Sequence, residues 1–480
     1  MSSATRHLGL LPLVQRSRAR PRAARLHTAD DSFEVTCRTR GAWLAFCRLT
    51  RRVVSEDGLR AVAAADSPAA LREWERLLGQ LHARGALRER WLIDDHWLAD
   101  VEPICPAGPH AGRDRRAPRR RRGTRGAFVL SRFAYLSRDG DQPTLASPIS
   151  TVRLVCSPVM VRAIGLLAST QTAATLRAAL DVPASTAAQI VRLLRDSAML
   201  TSARADGGTA EDTDPVLQQW EFADLLLQHR HRGGRHDGVV GATFQYEGIR
   251  PPEPALDRWP VRRRLALPRP ATDLDVVGPQ NPPLGAVIEA RESVRQYGTR
   301  PITIDQLGAL LWRSARVRAE YPMGPGRRYA ITDRPYPSGG GCYPLDIIVV
   351  VGRCRGVPRG IHHYDPVAHR LGWLGRHGST AEWLLEDARN AQGQRGGAQV
   401  LLVFVARFRR LTWKYRSIAL ATILKDVGAL LQTFYLNATA LGLAPCGVGS
   451  GDSTRLGRVI GRRFEEASSV GEMLIGSRPE

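Results

Sequence analysis

Residues 418–441 form a stretch in which apolar side chains recur around every side of a helix. The apolar side chains are Leu420, Ile423, Leu424, Val427, Leu430, Leu431, Phe434, Ala438 and Leu441, and Gly442 follows as a C-terminal signal. A helix of this kind needs burial on more than one side. The stretch therefore predicts either the core of a domain or the interface of a homodimer.

The composition limits the class of protein. A chain of 480 residues can hold two or three domains with cores of their own. No uninterrupted apolar run approaches the ~20 residues of a spanning helix, which predicts a protein without a membrane segment. Seven cysteines are widely spread without a C-x-x-C pair. They indicate reduced thiols in a cytoplasmic protein and argue against a zinc site.

The net charge of +23 raises the question of nucleic acid. Much of the charge is concentrated in two arginine-rich runs, at residues 16–25 and 113–126, which lack aromatic side chains for base stacking. Such runs are typical of solvated tails and linkers. Nucleic acid is thus an improbable partner, whereas an acidic peptide or another polyanion stays open.

The pattern along the chain predicts an α+β protein of several parts. Residues 1–29 are expected to be disordered, 30–104 to form a small helical or winged-helix-like unit, and 105–127 an arginine-rich linker. Residues 128–250 are expected to form a winged-helix-like domain, 251–283 a proline-rich linker, and 284–480 a larger domain. In that last part, residues 345–351 and 400–405 are apolar runs of strand length, and residues 284–290 and 304–314 have helical spacing.

A winged helix would make DNA binding a rival function. Three short helices are predicted at residues 159–167, 172–180 and 184–194, followed by a strand and a turn. The candidate recognition helix, residues 185–196, offers only Arg192 and Arg195 as basic residues. Readout of DNA by this helix is therefore expected to be weak, and a DNA-binding regulator is the last of the three functions considered.

Four stretches of the C-terminal part could bind an anionic, planar ligand. They contain Arg291, Ser293 and Arg295; the glycine loop at 337–344; a second glycine loop at 447–451; and Arg478. Guanidiniums grip phosphate in a fork, and glycine lets backbone amides approach a ligand closely. Each stretch alone is a weak signal, since a glycine loop is more often a turn.

Only two of the 69 lysines and arginines are lysine, namely Lys414 and Lys425. An ammonium can be brought to a proton-accepting form by burial, whereas a guanidinium stays charged. Lys414 lies beside the phenol of Tyr415 and the indole of Trp413. The pair is a candidate for acid and base chemistry, and a surface lysine in a turn is the alternative.

The order of these motifs resembles the flavin-dependent nitroreductase superfamily and, within it, the SagB-type dehydrogenases that act on ribosomally made peptides. The matching strings are RESVRQY (291–297), PSGGGCYP (337–344), GIHHYDP (360–366), WKY (413–415) and VGALLQ (427–432), with QWEFAD (219–224) upstream. The resemblance covers most of residues 128–480. It implies a nitroreductase-like domain at 284–480, with a mixed sheet flanked by helices and FMN at a homodimer interface.

The resemblance also implies which residues hold FMN. Arg291, Ser293, Arg295 and Arg478 match positions that bind its phosphate and ribityl chain, and Pro337, Ser338, Gly339 and Gly340 match the loop beside the flavin ring. Val448, Gly449 and Ser450 match the segment near the reactive edge, where Gly447 replaces the proline often found before it.

Lys414 and Tyr415 match a Lys-Tyr pair associated with catalysis in azoline dehydrogenases. Oxidation of an azoline ring to an azole removes a hydride, which the flavin accepts, and a proton, which requires a base. We expect desolvation and neighbouring positive charge to lower the pKa of Lys414 for this task. The implied partners are a precursor peptide and a cyclodehydratase; a nitroreductase-like enzyme using NAD(P)H on another substrate is the second alternative, and no metal site is expected.

Overall fold

The structure is a computed structural model that describes residues 4–11, 14–27, 32–104, 126–232, 239–270, 281–375, 378–393 and 397–480. The chain divides into two compact units, Met1–Val240 and Gly241–Glu480. The division lies upstream of the predicted boundary at residue 250. Residues 105–125 of the predicted arginine-rich linker and 271–280 of the predicted proline-rich linker lie outside the described residues.

The first unit combines helices with antiparallel sheets. Its helices are α1 (Arg40–Leu49), α2 (Glu56–Ala64), α3 (Pro68–Ala83), α4 (Pro158–Leu166), α5 (Ala173–Leu180), α6 (Ala184–Asp196) and α7 (Phe222–Arg230). Its strands are β1 (Ala4–Leu10), β2 (Gln15–Arg20), β3 (Ala23–His27), β4 (Ser32–Thr36), β5 (Val54–Ser55), β6 (Leu87–Ile93), β7 (His96–Pro103), β8 (Ala127–Leu130), β9 (Tyr135–Asp139), β10 (Gln142–Ala146), β11 (Val152–Cys156), β12 (Gln171–Thr172) and β13 (Leu200–Ser202). One seven-stranded sheet runs in the order β5-β1-β6-β7-β11-β10-β9.

The start of the chain is more ordered than the sequence suggested. Three strands, β1 to β3, lie within the residues expected to be disordered. Strand β1 pairs along its whole length with β6 and buries Leu8 completely. The seven-stranded sheet also joins residues 4–103 to residues 135–156, so strand pairing connects the two small units that were predicted separately.

The three helices predicted between residues 159 and 194 are present as α4, α5 and α6. A three-stranded sheet in the order β12-β8-β13 lies beside them. Residues 128–136 belong to two strands, β8 and β9, which are separated by a turn closed by a hydrogen bond from Ala134 N to Ser131 O (3.0 Å).

The second unit is built on one large sheet. Its helices are α8 (Leu284–Ala290), α9 (Ile304–Ala315), α10 (Gly378–Ala391), α11 (Phe408–Thr412), α12 (Ala419–Ala440) and α13 (Ser453–Ile460). Its strands are β14 (Gly241–Ala242), β15 (Arg264–Ala266), β16 (Ala319–Tyr321), β17 (Ile331–Asp333), β18 (Leu345–Val351), β19 (Gly360–Asp365), β20 (Arg370–Gly375), β21 (Val400–Arg407), β22 (Tyr415–Arg416), β23 (Leu443–Val448) and β24 (Ala467–Ser477). These elements confirm the predicted α+β class.

The large sheet runs in the order β15-β20-β19-β18-β21-β24-β23. We expected a mixed sheet, but every neighbouring pair among these seven strands is antiparallel. The short connections from β18 to β19 and from β19 to β20 favour antiparallel pairing, because a parallel pair needs a longer crossover. Strand β18 is buried at every residue, so helices and loops cover both faces of the sheet.

Two apolar cores lie on opposite faces of this sheet. Successive side chains of a strand point to opposite faces, and Ile347 of β18 belongs to the core that contains α9 and α12. Its neighbour Ile348 belongs to the core that contains α10 and α13. We call these the α12 face and the α10 face.

Helix α12 confirms the long helix predicted at 418–441, and Gly442 follows it with φ +67°. It packs on α9, α8 and β23. Leu420 and Leu424 stay 42% and 43% exposed. Among the described residues, α12 is the one helix long and apolar enough to cross a membrane, a test that buried core helices also meet.

Alternation along β19 would expose one of His362 and His363 if one face of the sheet were open to solvent. Both are buried, at 2% and 7% exposure. Alternation along β19 does place them on opposite faces, but both faces are covered.

Candidate functional site

Lys414 lies in the turn between α11 and β22, where its amine meets the first glycine loop. Its Nζ donates a hydrogen bond to the Tyr329 hydroxyl (2.6 Å), and that hydroxyl donates to the carbonyl of Gly340 (2.6 Å). Nζ also lies 4.8 Å from the ring centre of Tyr415. The predicted catalytic pair and the predicted flavin loop are therefore next to each other.

Gly340 has to be glycine at this position. Its φ of +62° is in the left-handed region, and a Cβ added there would overlap both Lys414 Nζ and the Tyr415 hydroxyl. The backbone of the loop at Gly340 thus lies against the Lys414 amine.

The pKa of Lys414 differs from our expectation. Partial burial acts to lower it, but hydrogen bonds to Tyr329 and Tyr415 outweigh burial, and the pKa is raised above its ordinary value. Lys414 is consequently an ammonium at neutral pH. Burial also raises the pKa of Tyr329, against the opposing effect of Lys414, so this tyrosine is a neutral phenol.

Arg410 holds the backbone around this cluster. Its side chain is 3% exposed and donates to the carbonyl oxygens of Cys342 (2.8 Å), Glu253 (2.7 Å) and Ala330. Burial lowers its pKa to about 10. One guanidinium therefore connects the glycine loop, the segment that carries Tyr329 and the chain before the domain.

A segment that we assigned to the winged-helix-like domain also supports Lys414. Strand β14 pairs with β22, and Phe244 N donates to Lys414 O (3.0 Å). The Phe244 ring packs edge-on against Trp413 at 5.9 Å, and the Trp413 indole donates to Arg250 O (2.7 Å).

The rest of the glycine loop is fixed to α12 through Asp426. Ser338 Oγ donates to the Asp426 carboxylate at 2.5 Å, and Gly339 N donates to it at 3.0 Å. Burial raises the pKa of Asp426, while these two hydrogen bonds act to lower it. Pro337, at the start of the loop, is exposed.

Arg291, Ser293 and Arg295 follow α8 and lie near the other end of α12. Ser293 Oγ is 2.8 Å from the Tyr435 hydroxyl, and the Arg291 guanidinium is 5.5 Å from the Tyr435 ring centre. Within the described residues, neither guanidinium has an acidic partner within 4 Å. The Arg291 and Arg295 guanidiniums, on either side of Ser293 in the chain, are therefore left without a carboxylate partner.

Tyr435 also joins this segment to the second glycine loop. Gly447 N donates to the Tyr435 hydroxyl at 2.6 Å, and Val294 N donates to Pro445 O at 2.9 Å. Beyond them, Gly449 and Ser450 are exposed, and a Cβ on Gly449 would meet open space.

Glu472 in β24 and Arg478, directly after that strand, border the same region. Arg478 Nη1 pairs with Glu292 at 2.8 Å, so its charge is already matched. The Glu472 carboxyl lies against Gly451, where no Cβ would fit, and burial raises its pKa to about 7.

The predicted residues thus form two groups connected by α12. The first contains Ser338, Gly339, Gly340, Lys414 and Tyr415, and the second contains Arg291, Ser293, Arg295, Val448, Gly449, Ser450 and Arg478. Asp426 and Tyr435 are nine positions apart in α12, or ~13 Å along the axis. The described residues give no direct contact between the groups.

Tyr329, Arg410, Asp426 and Phe244 were missed from the sequence. Tyr329 lies 85 positions from Lys414, and Arg410 is one arginine among many. Asp426 offered a local signal, as the one carboxylate of α12.

Parts of the chain match two family models and a curated relative. Residues 288–471 match the family model described as Nitroreductase family, and residues 128–237 match the model described as Cyanobactin oxidase ThcOx. A curated relative from Methanocaldococcus jannaschii, named as a nitroreductase, is 30% identical over 168 residues, which cover 34% of this chain and 77% of that protein.

Two solved structures are also similar to part of the chain. A crystal structure named as a nitroreductase from Ralstonia eutropha is 26% identical, covers 48% of this chain and 95% of its own, and has a TM-score of 0.36. The microcin synthetase McbBCD complex of E. coli with truncated pro-MccB17 bound is 18% identical, covers 45% and 79%, and has a TM-score of 0.33.

The family matches confirm the resemblance to SagB-type dehydrogenases that the motifs carried, and they support an oxidoreductase. Nitroreductase-family proteins typically use a flavin. The identity and coverage of the M. jannaschii relative show the family directly. The chain belongs to the nitroreductase family.

Proposed function

We propose that this chain is an FMN-dependent dehydrogenase that oxidises azoline rings to azoles in a ribosomally made, modified peptide. The observation that carries the proposal is the Lys414 amine, held between two tyrosines against Gly340. Such an oxidation requires both a two-electron acceptor and a group that handles a proton.

The residues of the second group fit FMN. Arg291 and Arg295 are guanidiniums without a described carboxylate partner, as a phosphate requires, and Ser293 adds a hydroxyl. In the first group, Gly339 and Gly340 leave room for Thr422 and Lys414, which a Cβ would overlap, and Pro337, Ser338, Gly339 and Gly340 are proposed to lie beside the flavin ring. Arg478, Val448, Gly449 and Ser450 complete the proposed contacts. Bound FMN would supply the two-electron acceptor.

Lys414 handles the proton in this proposal. In the arrangement described it is an ammonium, so it must lose a proton before it accepts one from the ring carbon. A substrate that displaces its tyrosine hydrogen bonds and excludes water favours the neutral amine. Tyr415, beside the amine, orients the ring or relays the proton, and Tyr329 holds Nζ against the loop.

A homodimer completes the proposed site. Exposed apolar residues of α8 and α12, namely Leu284, Ile288, Leu420 and Leu424, supply a surface for a second copy. The ~13 Å between the two groups along α12 allows one copy to supply the phosphate contacts and the other the lysine. The precursor peptide and a cyclodehydratase are the proposed partners, and the free thiols among the described cysteines support a cytoplasmic protein.

Two measurements test this function. Purified protein should be yellow, with the absorbance of oxidised flavin, and mass spectrometry should show a loss of two hydrogen atoms per ring when it is incubated with an azoline-bearing peptide without NAD(P)H. A yellow protein that leaves azolines unchanged and instead consumes NAD(P)H with another acceptor would support the nitroreductase-like alternative. A colourless protein that cannot be loaded with FMN would contradict both.

A further inference from the structure

A second cleft lies on the α10 face of the large sheet, away from Lys414. Its volume is about 530 Å³, within the range of small-molecule sites. Asp346 is two residues before Ile348 in β18, so both side chains point to the α10 face of the sheet. Trp413, the neighbour of Lys414, belongs to the core on the α12 face. The cleft is thus separate from the proposed flavin site.

The carboxylates around this cleft are already neutralised. Each has one guanidinium partner: Asp257 with Arg462 at 2.6 Å, Asp346 with Arg407 at 3.3 Å, and Asp365 with Arg370 at 2.9 Å. Because each carboxylate is paired with a guanidinium, the three together attract a cation only weakly.

Two further guanidiniums line the cleft without such a partner. Arg258 and Arg264 are exposed, and in the part of the chain that the structure describes neither guanidinium forms an ion pair, although the Arg258 backbone N–H donates to Asp257 Oδ1 (2.8 Å). The charged groups of the cleft and their partners thus leave a surplus of two positive charges, which favours an anionic ligand.

His363 gives an independent indication of a ligand. It lines the cleft, is only 7% exposed, and stacks on the Trp259 indole at 4.7 Å. No described residue forms a hydrogen bond with its ring, and neither ring nitrogen is among the fully buried polar atoms without a partner, so the imidazole is accessible from the cleft. Burial lowers its pKa, so the neutral imidazole offers one N–H donor.

We propose that this cleft binds a small oxyanion, a phosphate or a carboxylate group, between the guanidiniums of Arg258 and Arg264 and the imidazole of His363. The forked guanidinium can bind either anion, and the imidazole N–H can donate a further hydrogen bond to it. This site is independent of the proposed flavin chemistry.

The test is a titration of the full chain with inorganic phosphate, and in parallel with succinate, at constant ionic strength. The readout is the NMR signal of the His363 ring, identified by its loss in His363→Gln. We expect a saturable shift with at least one of the two anions. Phosphate alone would identify a phosphate site, and a response to both would identify a general oxyanion site.

Matched variants separate this site from unspecific attraction to a basic protein. Arg258→Gln and Arg264→Gln should each weaken anion binding about tenfold, while the exposed neighbour Arg263→Gln should leave it unchanged. Arg291→Gln should not alter the shift of the His363 signal, since Arg291 belongs to the proposed flavin site. No saturable shift in the wild type, or equal weakening by Arg263→Gln, would overturn the proposal.

Discussion

The polar groups around Lys414 are already bonded to one another, whereas the guanidiniums of Arg291 and Arg295 have no described carboxylate partner. The lysine group is held by Tyr329, Gly340 and the buried Arg410, so its geometry exists without a ligand. The arginine group is electrically incomplete until an anion binds. Changes in the first group should therefore alter turnover, and changes in the second should alter cofactor affinity.

Replacement of Lys414 should give the largest effect. Lys414→Ala removes the proposed base, and we expect kcat to fall by ~10² to 10⁴ while FMN content stays the same. Lys425→Ala, at the exposed lysine of α12, is the matched control and should keep its activity. Equal losses in both variants, measured on an azoline peptide, would remove the distinction between the two lysines.

Replacement of Arg291 should affect the cofactor instead. Arg291→Gln loses a charged hydrogen-bond donor, and we expect FMN to bind ~10 to 100 times more weakly, with kcat restored at saturating FMN. Fluorescence titration of the apoprotein measures the affinity. Arg300→Gln, at a guanidinium whose side chain is 90% exposed, should bind FMN normally. A lower kcat at saturating FMN in Arg291→Gln would show that the two groups are not separable.

The pH dependence follows from the raised pKa of Lys414. Because the base must be unprotonated and its pKa lies above the ordinary value, most molecules carry an ammonium at neutral pH. We expect kcat/KM to rise about tenfold per pH unit through the neutral range. A profile that is flat from neutral pH upward would argue against Lys414 as the base of the free enzyme.

Tyr329→Phe should have a smaller effect and a distinct signature. Loss of the hydrogen bond that positions Nζ predicts a decrease of about fivefold in the maximal kcat, reached at high pH where the amine is unprotonated. Since that bond raises the pKa of Lys414, the rising limb of the pH profile should move to lower pH. Tyr321→Phe, at a 41% exposed tyrosine, is the control. An unmoved limb would mean that Tyr329 does not influence the amine.

The sequence predicted those parts of the molecule in which the signal is local. Helices α9 and α12 and strands β18 and β21 follow from periodicity and apolar runs, because each buries a face with its own repeat. Strand β1 was missed because its partner, β6, is far away in the chain. The burial of both His362 and His363 depends on helices and loops that cover the second face of the sheet.

The candidate site divides in the same way. The motif strings identified Lys414 and Gly340, and the structure brings them together. Tyr329, Asp426 and Phe244 could not be identified, since their roles depend on contacts between distant parts of the chain. The predicted lowering of the Lys414 pKa was wrong for the same reason, because the sequence did not show the hydrogen bond to Tyr329 that raises it.

The most direct test of the central claim uses FMN-loaded protein mixed anaerobically with an azoline peptide, with the bleaching of flavin absorbance followed over a single turnover. Lys414→Arg keeps the positive charge but removes the titratable amine. We predict that the wild type bleaches and that Lys414→Arg, with the same FMN content, does not. Bleaching of Lys414→Arg at the wild-type rate would contradict the assignment of Lys414 as the base.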